Sequence, residues 1–289
     1  MGLSQKLTEA ALAIPGLDGA ADLLAGIANG AYAKLGASGR TVRDALNGTW
    51  LGHPLHPAVT DVPVGAWTVM LLLDAANQRQ TARQALGIGL AGAALAAASG
   101  LTDWLDTSGR ARRLGVVHAT LNIGATLLCG VSFALRPRAY RAAVWMSTIG
   151  YAIAGCSAIY GGVLSLDLQI GVNRAHASDP PEDEIDAGEL AQIPNPGMQR
   201  VDAGGYAVLV VRDGERVAAI SAACAHQSGP LDEGTLDLAA RAVTCPWHGS
   251  CFRIDDGEIV HGPSAFPQPA FRVRIANDHV YLSRLSGAT

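Results

Sequence analysis

The sequence predicts a multi-domain chain in which an all-α four-helix transmembrane bundle is followed by an all-β domain. Three observations carry this. Of 289 residues, 49% are apolar and only 16% charged, a balance unusual for a soluble chain of this length. The charges are sparse between residues 58 and 166 and dense after residue 173. The apolar pattern also changes, from four runs of roughly 20 residues, enough to cross a hydrocarbon core, to short alternating stretches.

Residues 1–50 read as an amphipathic N-terminal segment. Leu3, Leu7, Ala10, Ala11 and Ile14 fall at helical spacing, and the start lacks the continuous apolar core of a secretory signal. Leu17–Leu35 repeats the pattern weakly, as a segment lying on a membrane surface or capping a bundle would. Residues 51–166 form the transmembrane domain, with spans near Ala58–Ala76, Ala85–Leu105, Leu114–Leu135 and Ala142–Leu166. The arginine-rich interruptions between them read as hairpin turns. Gly87, Gly89 and Gly92, with the Gly155 to Gly162 segment, offer faces of small residues on which helices pack closely.

An even number of crossings puts both termini on one side. Arginines near the helix ends are tied, with Arg43, Arg110, Arg112, Arg113 and Arg174 against Arg79, Arg83, Arg136, Arg138 and Arg141, so the positive-inside rule does not choose. The missing export signal favours cytoplasmic termini. A net charge of −4, with no basic run interleaved with aromatics, argues for no nucleic acid as partner.

Residues 167–187 form an acidic, proline-containing linker with nothing evident to bury. Residues 188–289 form the β domain, where Tyr206–Val211 and Arg216–Ile220 are joined through Asp213-Gly214, a hairpin signal. This domain contains Cys224-Ala225-His226 and, eighteen residues later, Cys245-Pro246-Trp247-His248-Gly249-Ser250-Cys251-Phe252. Each half offers one thiolate and one imidazole. Two thiolates on one iron and two neutral histidines on the other would satisfy a [2Fe–2S] cluster; the same four donors would also make a zinc tetrahedron.

The surroundings of the motif favour iron, because residues 188–285 resemble the Rieske family. Gly249 and Ser250 follow the second histidine, and Gly262-Pro263 with Pro267-Gln268-Pro269 match the proline-containing loop that covers the cluster. The resemblance implies a β-sandwich with both ligand loops at one end, Cys224, His226, Cys245 and His248 as cluster and metal ligands, and electrons leaving through the histidines. Ser250, Phe252 and Pro263 form the cluster environment. Two cysteines that bridge the loops in the respiratory branch correspond to Gly229 and Trp247 here, so that disulfide is absent. Phe252 stands where that branch has a tyrosine, and the two losses imply the lower part of the Rieske potential range, roughly −150 to +300 mV. Five cysteines with none obviously paired fit a reducing compartment.

The membrane half resembles a bacterial four-helix family known as domain of unknown function 2231. Leu51-Gly52-His53-Pro54-Leu55-His56-Pro57, then Asp61, Pro63 and Gly65, and His118-Ala119 carry the likeness over residues 45–166. It supports the four-helix topology and leaves the chemistry open; the location expected is a bacterial inner (plasma) membrane, with the lipid bilayer as partner.

A possible second site lies in this half. The crossings bring His53, His56, Asp61, Asp103, Asp106 and His118 to one end, with Pro54 and Pro57 expected to keep His53 and His56 out of regular helix and His118 and Asn122 sharing a helix face. Haem b on His118 and one of His53 and His56, a metal ion using Asp61 or Asp103, a quinone hydrogen-bonded to one histidine, and helix-end capping without a ligand all stay open.

The function expected is that of a membrane-anchored Rieske electron-transfer protein, the redox subunit of a membrane oxidoreductase system with an unidentified redox donor and acceptor, protein or quinone. The alternatives are an iron–sulfur redox sensor and the electron-donor component of an oxygenase. No complete catalytic site is visible. A mononuclear oxygenase domain does not follow His248, and the eight histidines of the chain are too few to supply both a cluster and a histidine-rich membrane di-iron site.

Overall fold

A computed structural model describes residues 2–176 and 183–284. The chain divides into two units, one of residues 1–42 and 54–171, the other of residues 43–53 and 172–289. The segment Arg43–His53, which falls mostly within the expected N-terminal segment, thus takes its contacts from the second unit.

The first unit is helical. Helices α1 (Leu3–Leu12) and α2 (Leu17–Lys34) are separated at Gly16, whose φ of 82° suits glycine. The spans are α4 (Leu55–Ala75), α5 (Arg79–Leu105), α6 (Gly109–Leu135) and α7 (Tyr140–Gly162), the last continuing as a π-turn over Val163–Asp167. All four are long and apolar enough to cross a membrane. Leu72, Ile88, Leu127 and Trp145 are exposed along them, which suits a lipid solvent.

Helix α4 packs along α5 and α6 along α7. The small residues of α5 explain the first pairing. A Cβ added to Gly89 would lie 2.2 Å from the Trp67 indole, and one on Gly100 would lie 2.7 Å from the His56 ring. Bulky groups of α4 therefore sit directly on the α5 backbone.

Two sequence expectations need correction. His56 and Pro57 lie inside α4, in its first turn, because the N–H groups of that turn have no intrahelical acceptor and proline there removes nothing. Arg136 is not simply a turn residue. Its guanidinium donates to both oxygens of Asp74 at 2.6 Å, Tyr140 Oη donates to the same carboxylate at 2.7 Å, and the two charged side chains are 2% and 4% exposed. This buried pair, paired and hydrogen-bonded as burial requires, ties the end of α4 to the α6–α7 turn. At the other end of α6, Arg112 and Arg113 pair with Asp22 and Asp18 of α2, so α2 caps the bundle.

Among the described residues, the second unit contains ten strands in two antiparallel sheets. The larger sheet has the order β1 (Ile185–Glu189), β10 (His279–Arg284), β9 (Ala270–Ala276), β4 (Arg216–Ser221), β3 (Tyr206–Asp213) and β2 (Gly197–Ala203). The smaller runs β5 (Thr235–Asp237), β6 (Ala242–Thr244), β7 (Cys251–Arg253) and β8 (Ile259–His261). Strand β3 is buried on both faces, and its period of two divides it: Leu209 and Val211 enter one core with Ile220, Phe252, Cys224 and Cys245, while Val208 and Val210 enter another with Phe271, Val280 and Leu282.

Helix α3 (Ala37–Asn47) supplies Arg43–Asn47 to this unit. Residues of the expected linker are partly docked. The Arg174 N–H donates to Ala225 O at 2.9 Å, Tyr206 Oη donates to Ala175 O at 2.9 Å, Ala175 is buried, and β1 starts at Ile185. The remainder of the linker, 177–182, lies outside the described residues.

Candidate metal centre

Cys224 and His226 lie on the loop after β4, Cys245 and His248 on the loop joining β6 to β7. The two loops share one backbone design. The amide of each cysteine donates to the carbonyl five residues on, Cys224 to Gly229 at 2.9 Å and Cys245 to Ser250 at 2.8 Å. Each cysteine carbonyl in turn accepts from the amide four residues on, that of Ser228 at 2.8 Å and that of Gly249 at 3.2 Å. Both Ser228 and Gly249 are left-handed, with φ of 59° and 81°. This tight turn aims amides at sulfur, those of His226 and Gln227 at Cys224 and those of Trp247 and His248 at Cys245.

The thiols meet. Hydrogen bonding from Cys224, followed by the two amides, lowers the Cys245 thiol against its burial, while the same contact and burial push the Cys224 thiol up. The His226 and His248 rings stand edge to face with centroids 5.0 Å apart. Burial, then His248 and Arg43, press His226 down to about 3, leaving the neutral imidazole that ligates metal. Its Nδ1 is buried without a hydrogen-bond partner, the expense a free lone pair in a binding site incurs.

Two cysteines and two histidines on paired loops fit a [2Fe–2S] cluster with two protein donors on each iron. The third loop, between β8 and β9, completes the enclosure. The Ser264 amide donates to Ser250 Oγ at 3.0 Å, and Ser250 is fully buried. Pro263 is half-buried beside it, and Phe252 is fully buried in the core that contains both cysteines. Gly229 has no room for a side chain, because a Cβ would lie 2.7 Å from Cys245 Sγ and 3.2 Å from the Trp247 ring. Trp247 therefore packs from one ligand loop onto the backbone of the other.

Sequence reasoning missed two features. Gln268 was visible as part of the proline loop but not for what it does. Buried to 2% exposure, it accepts from Ala225 N at 2.7 Å and donates to Ser221 O and Ala223 O at 3.0 and 2.9 Å, bracing the first ligand loop. Asp44, 218 residues from its partner, accepts from the Gly262 amide at 2.9 Å. No local pattern could have signalled that contact.

In the first unit, the carboxylates and histidines of the possible second site are only partly assembled. His53 belongs to the other unit by its contacts, and Asp61 is exposed on α4. Asp103 lies within electrostatic range of Asp106, and His56 within range of His118. His56 Nδ1–H donates to Ala96 O at 2.8 Å. His118 uses both nitrogens, with Nδ1–H donating to Ser157 O at 3.0 Å and Nε2 accepting from Asn122 Nδ2 at 3.1 Å.

Comparison with known proteins bears on both halves. Human apoptosis-inducing factor 3 is 32% identical over 109 residues, which cover 37% of this chain and 18% of that protein. The cytochrome b6-f complex iron-sulfur subunit of Chlorobaculum thiosulfatiphilum is 28% identical over 102 residues, covering 35% of this chain and 54% of that one. The chain thus spans about half or less of the curated relatives it matches. Among solved structures, the ferredoxin of carbazole 1,9a-dioxygenase from Nocardioides aromaticivorans IC177 aligns with a TM-score of 0.34 at 27% identity, covering 35% of this chain and 98% of that one. Two family models meet in the one chain: residues 52–174 match a predicted membrane protein family (DUF2231), and residues 183–272 match the Rieske [2Fe-2S] domain.

Proposed function

We propose that this protein is a membrane-anchored electron carrier whose [2Fe–2S] cluster is held by Cys224 and Cys245 on one iron and His226 and His248 on the other. The observation that carries this reading is the repeated turn, which directs two backbone amides at each cysteine sulfur and leaves the His226 Nδ1 lone pair buried and unused. When bound, the cluster supplies one-electron chemistry. The chain supplies the rest: amide dipoles that favour thiolate, a buried Ser250 whose oxygen accepts from the Ser264 amide, and two imidazoles at the edge.

The relative named as an iron–sulfur subunit of a cytochrome complex supports a role as the redox subunit of a membrane oxidoreductase system, with a protein or quinone as donor and acceptor. The side is the cytoplasmic face of a bacterial inner membrane, a placement supported by the unpaired state of Cys129, Cys156 and Cys251, the cysteines not assigned to the cluster. The test is electron-spin resonance of the dithionite-reduced protein with Cys245→Ser beside it. The wild type is expected to show a Rieske signal that the variant lacks; an unchanged signal in C245S removes the assignment. Turnover with quinones, cytochromes and reduced pyridine nucleotides then identifies the partners.

A further inference from the structure

The segment Arg43–His53 precedes the first span in sequence yet belongs to the unit that carries the ligand loops. Its attachment is specific. Asp44 Oδ1 accepts from the Gly262 amide at 2.9 Å, and Oδ2 lies 3.1 Å from His261 Nδ1. Thr49 folds back to donate both its amide and its hydroxyl to Asp44 O, at 3.2 and 3.1 Å, so the helix end that presents the carboxylate is itself capped. A Cβ on Gly262 would meet Thr49 Cγ2 at 3.1 Å, Asn47 Nδ2 at 3.2 Å and Asp44 Oδ1 at 3.2 Å. All three near atoms come from this one segment. Asn47 is 1% exposed.

Gly262 opens the loop whose Ser264 amide occupies Ser250 Oγ, and the Ser250 carbonyl in turn receives the Cys245 amide. We propose that Asp44 is a positioning residue for the cluster, holding the Gly262–Ser264 turn whose amide engages Ser250, the residue that receives the Cys245 amide. The inference rests on the ligand reading above. A firmly held Ser250 environment stabilises the added electron, so weakened docking of Asp44 lowers the midpoint potential.

The experiment uses the full-length protein in detergent, with D44A, D44N and G262A, and reads two quantities: the midpoint potential by spin-resonance titration and the exchange rate of the Gly262 amide. D44A is expected to lower the midpoint and to speed Gly262 exchange about tenfold, the factor for one net hydrogen bond. D44N keeps an oxygen acceptor and should restore both. G262A, whose added carbon pushes the segment away, should lower the midpoint if D44A does not retain its cluster. A wild-type potential in D44A with faster exchange overturns the positioning role; wild-type exchange overturns the contact. If the wild type shows no Rieske signal, the ligand reading fails instead, while the exchange measurement still judges the docking.

Discussion

Each half of the molecule carries a pair of neighbouring histidines, and the two pairs differ in how their nitrogens are spent. In the first unit His118 directs Nδ1–H to the Ser157 carbonyl and accepts from Asn122 at Nε2, while His56 is bonded to Ala96. In the second unit His226 keeps Nδ1 buried with no partner. A buried polar atom left unpaired costs about 1–3 kcal/mol, and a fold tolerates that where a ligand repays it. His118 has both ring nitrogens engaged and so ties α6 to α7.

The comparison would be broken most severely at the support of the His226 loop. Gln268→Ala removes one acceptor and two donated hydrogen bonds inside the protein, stranding the Ala225 amide and two carbonyls. A loss of about 3 kcal/mol is expected, with iron released at lower temperature than from the wild type. Iron content and visible absorbance followed on heating check this. Iron retention equal to wild type would mean that the loop's form does not depend on Gln268.

The bundle provides the converse. His118→Ala should cost about 1 kcal/mol, the scale of interhelical hydrogen bonds in membranes, and leave the Rieske signal and midpoint untouched. Asn122→Leu should cost a similar amount by freeing Nε2. Thermal unfolding in detergent measures the first effect and spin resonance the second. Loss of a bound cofactor, or of cluster reoxidation by quinone, in H118A would erase the distinction between the two pairs.

What could be read from the sequence follows from the range over which each interaction acts. The cysteine and histidine spacing is local, and so are the hairpin at Asp213-Gly214 and the four apolar runs; all reappear in the fold. The His118–Asn122 relation was visible as an i, i+4 pair, but Ser157, 39 residues on, was not, so half of the histidine's bonding was hidden. The buried Asp74–Arg136 pair, 62 residues apart, has no local signature, and Arg136 alone stood out, as an arginine near a helix end. Pro57 misled because a residue that breaks a helix interior is harmless in its first turn. Asp44 had no signature at all: its contact with Gly262 depends on a helix end meeting a loop near the other terminus.

The finest contrast lies within the pair of ligand loops themselves. Both need a left-handed residue four positions after the cysteine, and one loop supplies Gly249, the other Ser228. For an L residue that conformation costs roughly 1 kcal/mol, which glycine avoids. The loops should therefore respond with opposite signs. Ser228→Gly is expected to stabilise the protein by up to about 1 kcal/mol, reduced by the greater freedom of glycine in the unfolded chain. Gly249→Ala should destabilise it by about 1 kcal/mol, and for backbone reasons alone, since nothing lies within 4 Å of an added Cβ. Chemical denaturation of the two variants beside the wild type tests this. Changes of the same sign would show that the loops are held by different forces despite their common hydrogen-bond pattern.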